Sequence, residues 1–262
     1  AVGENVMLCG ENRDRQGLRL PGRQEEYVNE LIATGKPVIL VVFGGRAQVI
    51  SGLAERCAAV IQAWYPGEEG GNAVADILYG NISPSAKLSV SYPNEEVYEA
   101  MCYNYSAEKD PRVQWPFGYG LSYTTFGYDD LDMDANGSTS DKFVSLSFKV
   151  TNTGSVAADE IVQIYVSPTE DGKNIRPIQL QGFARVSLEP GQTKKVKAKL
   201  YTEQFGYYTN DGVRQWNIAP GTYEVKVGAS SEDIRLSGRI VLKGKHVTKP
   251  LREYYISEVT VK

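Results

Sequence analysis

The feature that most constrains this chain is a change of hydrophobic period part-way along it. From about Asp129 onward, apolar and polar residues alternate in "FVSLSFKVTNTG", "EIVQIYVSP", "IQLQGFARVSL", "KKVKAKLY", "GTYEVKVGAS" and "IRLSGRIVL". Turn signals separate the runs: Asn152-Thr153-Gly154, Pro190-Gly191 and Pro220-Gly221. A period of two sends successive side chains to opposite faces, the pattern of half-buried strands. Short strands at this spacing describe an antiparallel β-sandwich.

About seven such strands in about 115 residues suit a sandwich of immunoglobulin or fibronectin III type. The first half reads differently. "GRQEEYVNELIATGK" sets Tyr27, Val28, Leu31 and Ile32 on a helical stripe, acidic early and ended by Gly35-Lys36. "PVILVVFG" is a continuous apolar run, the mark of a strand covered on both faces. "SGLAERCAAVIQAW" reads as a second helix, with Leu53, Cys57, Val60 and Ile61 at helical spacing. "EEGGNAVADILYG" reads as a third, with Val74, Ile77 and Leu78 inward and Gly80 as its stop. "AKLSVSYP" is a short closing strand, so the first half is an α/β layer. The segment from Tyr92 to Tyr128 is rich in Tyr, Pro and Gly, has no period, and reads as irregular chain packed by its own aromatics. The boundary falls near residues 128 to 141, giving domains of 1–128 and 129–262. The polar tail from Gly244 ends in "YYISEVTVK", which either returns over another domain or simply extends.

Composition narrows the chemistry. Of 262 residues, 42% are apolar and 23% charged, as in an ordinary soluble protein. A net charge of -4 provides no basic footprint for nucleic acid or anionic lipid. No run approaches the roughly 18 apolar residues of a membrane span. Three scattered cysteines (Cys9, Cys57, Cys102) make no disulfide framework and no CxxC, so neither a metal nor a cofactor is expected. The single histidine, His246, lies in the polar tail, which argues against a Ser-His-Asp or Cys-His unit. Carboxylates are then the groups to watch for proton transfer.

Among these, Glu11 in "LCGENRDRQGLRLPG" stands in an arginine-rich loop. It reads either as a surface charge paired with Arg13 or Arg15, or as a catalytic carboxylate. Asp14 and Arg15 read as a carboxylate–guanidinium pair stiffening the loop. Glu4, after a strand end, reads as a strand-end charge rather than as a second carboxylate reaching the same cleft. Glu68 and Glu69 precede a helix start, where acidic groups favour the positive terminus. Trp64, Trp115, Phe117, Tyr119 and Tyr123 read as packing aromatics rather than a sugar platform, and Trp216 and Tyr223 as sandwich core.

Three stretches carry a resemblance. "WYPGEEGGNAVADILYGNISPSAKLSVSYP", then "WPFGYGLSYTTFGY", then "IQLQGFARVSLEPGQT" with "APGTYEVKVGAS", resemble in order the C-terminal portion of family-three glycoside hydrolases. The resemblance implies part of an α/β sandwich domain with a mostly parallel sheet, followed by a fibronectin III-like domain. It implies a retaining β-glycosidase, most often a β-glucosidase. It gives Glu11 the acid/base role, because Glu11-Asn12-Arg13-Asp14-Arg15, then Leu18-Arg19-Leu20-Pro21, matches the family's loop; Asn12 replaces a small residue there. It puts the nucleophile on a (β/α)8 barrel that this sequence lacks. The expectation is therefore a chain inactive alone that needs a barrel-carrying partner polypeptide or precursor half. Glucose, xylose and N-acetylglucosamine all stay open as the sugar. A secreted or periplasmic setting is implied by the family; "AVGENV" itself shows no leader segment, and the sequence opens at what reads as a strand end. A non-catalytic carbohydrate-binding or scaffolding module is the alternative, and a free-standing adhesion domain fits only the second half.

Overall fold

The structure is a computed structural model that describes residues 1–95, 101–104, 110–169, 178–209 and 214–262. The chain divides into two compact units. One comprises Ala1–Ile82 with Leu88–Phe117; the other comprises Ser83–Lys87 with Gly118–Lys262.

The first unit is built on three parallel strands: β1 (Val2–Gly3), β2 (Ile39–Phe43) and β3 (Ala59–Trp64), with β2 central. Leu40, Val41 and Val42 of β2 are all buried, as a strand covered on both faces requires. Leu40 and Val42 share a core with Val2, Leu20, Val28, Ile50, Leu53 and Tyr92. The β1–β2 approach depends on Gly3, where φ is +129° and a Cβ would lie 1.7 Å from the Phe43 carbonyl oxygen. The outer edge of β1 is closed by a side chain. Gln24 accepts from the Gly3 N–H at 2.6 Å and donates to the Gly3 carbonyl at 3.0 Å.

Helix α1 (Gln24–Ala33) forms as expected and ends at Gly35 in the left-handed region, φ +74°. Its buried stripe is narrower than the spacing suggests. Val28 is buried and Ile32 packs on the core, while Tyr27 and Leu31 are exposed. The expected second helix is the main correction. α2 covers only Ser51–Ala54, and "AVIQAW" is β3, pairing parallel with β2 from Ile39↔Ala59 to Val42↔Gln62. A long-range ladder to β2 outweighs helical spacing for a segment holding β-branched Val60 and Ile61. α3 (Gly70–Leu78) forms and stops at Gly80, φ +75°, but Leu78 is exposed rather than inward. "AKLSVSYP" is strand only at β4 (Tyr92–Pro93), which pairs with β5 (Val113–Trp115). Lys87 leaves the first unit and donates to the Gly120 carbonyl, so the preceding residues extend without a ladder. The aromatic segment packs on itself where it is described: Tyr92 meets Trp115 and Tyr103 meets Phe117, both edge-on.

The second unit contains β6 (Phe126–Met133), β7 (Asn136–Ser138), β8 (Phe143–Asn152), β9 (Ala158–Pro168), β10 (Gln179–Leu188), β11 (Thr193–Tyr201), β12 (Tyr207–Tyr208), β13 (Trp216–Ile218), β14 (Gly221–Gly228), β15 (Ile234–Lys243), β16 (Val247–Lys249) and β17 (Glu258–Val261). One sheet runs β10-β9-β14-β15-β7, a second β17-β11-β8-β6, and a small third β12-β13-β16. The alternating residues of β8 (Val144, Leu146, Phe148, Val150) meet Val162, Ile164, Val225 and Val227 of β9 and β14 in one core. Tyr223 belongs to that core, whereas the buried Trp216 lies on the small sheet beside Tyr208 and Arg252. The tail returns onto its own unit: β16 pairs with β13 and β17 with β11.

Candidate active site

The three parallel strands of the first unit all end on one edge, at Gly3, Phe43 and Trp64. Loops beyond the carboxyl ends of parallel strands are where α/β sheets place their ligands. The loops here run from Glu4, from Gly44 and from Tyr65.

Glu4 is drawn inward by its backbone, whose N–H donates to the Phe43 carbonyl at 2.9 Å. Its side chain is 0% exposed and neutralised by two arginines. Arg15 Nη1 donates to Oε1 and Arg46 Nη1 to Oε2, the latter at 2.8 Å. Burial alone would lower the Arg46 pKa, but Glu4 more than offsets it and holds the guanidinium above its ordinary value. Arg46 also donates to the Leu8 carbonyl at 2.9 Å and to the Arg13 carbonyl at 2.5 Å. Arg15 Nη2 reaches the Arg19 carbonyl at 3.0 Å.

Between these anchors the loop makes two turns. Asn5 Oδ1 accepts from the Met7 N–H, and the Arg13 N–H donates to the Gly10 carbonyl at 3.1 Å. Asn12 occupies the second turn at φ 57°, a left-handed conformation that asparagine tolerates better than most residues. Glu11 sits on this turn, exposed to solvent. Neither arginine that could pair with it does so: Arg13 turns to the Val6 carbonyl and Met7 Sδ, and Arg15 to Glu4. Arg15 thus takes Glu4 as its carboxylate instead of Asp14, which is exposed. A buried Glu4 carboxylate left without its cations would be costly, whereas an exposed Asp14 stays hydrated without one.

On the neighbouring loops, a bulge at the end of the β2–β3 ladder leaves Trp64 at φ 51°. Tyr65 follows, exposed, and its hydroxyl is raised in pKa by a hydrogen bond with Cys9. Gly45 lies between them, where a Cβ would come within 2.8 Å of the Tyr65 ring and 3.0 Å of Cys9 Sγ. Glu68 and Glu69 are exposed at the start of α3, with Glu69 accepting from Asn72 at 2.5 Å. Among the described residues, no group of three or more His, Cys, Asp or Glu could hold a metal ion. Sequence reasoning missed Arg46. The available signal was its place after Gly44-Gly45 at the end of the central strand, on the same edge as Glu4.

Comparison with known proteins matches residues 1–123 to the glycosyl hydrolase family 3 C-terminal domain and residues 160–231 to the fibronectin type III-like domain. The chain belongs to glycosyl hydrolase family 3. A β-xylosidase of Formosa agariphila is 36% identical over 88% of this chain and 33% of its own length. A periplasmic β-glucosidase of Salmonella typhimurium is 31% identical over 89% and 33%. The crystal structure of a Kluyveromyces marxianus β-glucosidase in complex with glucose superposes with a TM-score of 0.83 at 33% identity, covering 94% of this chain and 32% of that one. The family 3 chain thus spans about a third of the length of the relatives it matches. No helix among its described residues is long and apolar enough to cross a membrane.

Proposed function

We propose that this chain is the part of a retaining β-glycosidase that supplies the acid/base carboxylate, Glu11, to a nucleophile carried on a (β/α)8 barrel outside this sequence. The relatives' names, β-glucosidase and β-xylosidase, support the glycosidase class. The observation that carries the residue assignment is the division of labour in the loop. Glu4 is consumed by two arginines, while Glu11 is exposed on a turn with neither neighbouring arginine holding it.

In this reading the barrel carboxylate attacks the anomeric carbon as Glu11 protonates the departing glycosidic oxygen. Glu11, now ionised, takes a proton from water as that water releases the sugar from the enzyme. Retention requires the two carboxyl groups about 5–5.5 Å apart across the scissile bond. The periplasmic Salmonella relative supports a periplasmic or secreted setting.

The test is Glu11→Ala in the barrel-containing enzyme, with azide. Loss of the base should slow breakdown of the glycosyl-enzyme, lowering kcat for activated aryl glycosides about 10²–10⁴-fold while their kcat/KM changes little. Azide needs no deprotonation, so it should restore turnover and yield the β-glycosyl azide. Full activity of the variant, or no azide product, would remove Glu11 from the mechanism.

A further inference from the structure

We infer that Arg46 is a positioning residue for Glu11, joining Glu4 and Arg15 in a clamp that fixes the loop; the inference rests on the acid/base reading of Glu11. Arg46 makes three bonds, and two of them go to loop carbonyls rather than to the sheet. Leu8 lies three residues before Glu11 and Arg13 two after, so one guanidinium holds both sides of the turn. Its third bond, to Glu4, ties that grip to the end of β1, where the Glu4 N–H is bonded to β2. Arg15 fixes the descending leg through Glu4 and the Arg19 carbonyl.

Hydrophobic burial holds little of this loop, with only Leu8 and Cys9 half-buried in its first part. Val6 and Met7 are 74% and 68% exposed, so its conformation depends on polar ties. A rigid planar fork with several donors suits the task, and an ammonium on a flexible stem does not. Proton donation is sensitive to placement: a shift near 1 Å can cost about 100-fold in rate. The clamp spends its donors on the carbonyls flanking the acid/base candidate and leaves the carboxyl free.

The experiment is a double-mutant cycle in the barrel-containing enzyme with Arg46→Lys, Glu11→Gln and both together. Arg46→Lys keeps a positive charge beside Glu4 but cannot reproduce three directed bonds. It should lower kcat/KM about 30–100-fold for a methyl glycoside, which needs acid assistance, and only a few-fold for a dinitrophenyl glycoside. In the Glu11→Gln background it should cost little more. Trypsin should cut the folded Arg46→Lys enzyme after Arg13 or Arg15 about tenfold faster than the parent, a readout independent of turnover. Equal losses on the two glycosides, losses that add fully to those of Glu11→Gln, or an unchanged cleavage rate would overturn the clamp. If Glu11→Gln itself shows no dependence on the leaving group, the acid/base reading fails instead and the clamp loses its purpose with it.

Discussion

Gly3 shows how one residue can decide a local fold. Any side chain there meets the Phe43 carbonyl, and the +129° backbone adds strain. Gly3→Ala should detach β1 and with it the anchor of the Glu11 loop, lowering the urea midpoint of the first unit; an unchanged midpoint would show that β1 contributes little. Glu4 makes the complementary case. Its carboxylate is fully buried between two arginines, and removing one member of a buried pair strands the remaining charges at about 3–5 kcal/mol. Glu4→Gln should approach that loss in urea unfolding, less what the partly exposed arginines regain from water. The sequence showed Glu11 and its turn residues because they are neighbours along the chain. It did not show that Arg15 chooses Glu4 over Asp14, nor that Arg46 reaches across, because both choices depend on which strand ends lie side by side.

At the scale of elements, the errors and successes have one cause. Helices with local stop signals were legible: α1 and α3 end at Gly35 and Gly80, both at positive φ. β3 was not, because Leu53, Cys57, Val60 and Ile61 satisfy a helical spacing by accident while the pairing that wins is with β2, far away in sequence. The edge cap on β1 is likewise invisible locally. Gln24→Ala should remove both of its bonds to Gly3 and cost about 1–2 kcal/mol, read as a lower midpoint without a change in secondary structure content. In the second unit the returning tail is tied down by Glu203. Burial would push its carboxyl up, but the Lys249 ammonium and the N–H groups of Glu253 and Tyr254 more than offset this and hold it below the ordinary glutamate range. A carboxyl depressed on folding contributes stability above its unfolded pKa, about 4.3, and loses that contribution as pH falls through the folded value. Thermal melts from pH 7 down to pH 3 should therefore show a smaller acid destabilisation in Glu203→Gln than in the parent. Parallel curves would mean that Glu203 does not contribute to the linkage.

For the whole molecule, the switch from mixed to alternating periodicity foretold two kinds of architecture, and both are present: an α/β unit on a parallel three-stranded sheet, and a largely antiparallel β unit in which only the edge strand β7 pairs parallel, with β15, among the described residues. What remained illegible was tertiary: which strand ends converge, and which carboxylate stays free. The chain spans about a third of its relatives' length, and the proposed nucleophile lies outside it. The purified chain should accordingly show no glycosidase turnover above the buffer rate; turnover by the chain alone would contradict the division of the site. The central claim is that Glu11 donates the proton to the leaving group. It is tested most directly by plotting log kcat/KM against leaving-group pKa for a series of aryl and alkyl β-glycosides, using the barrel-containing enzyme and its Glu11→Gln variant. The account predicts a much steeper negative slope for the variant, with losses of about 10²–10⁴-fold at the poorest leaving groups shrinking toward none at the best. Two parallel lines would contradict it.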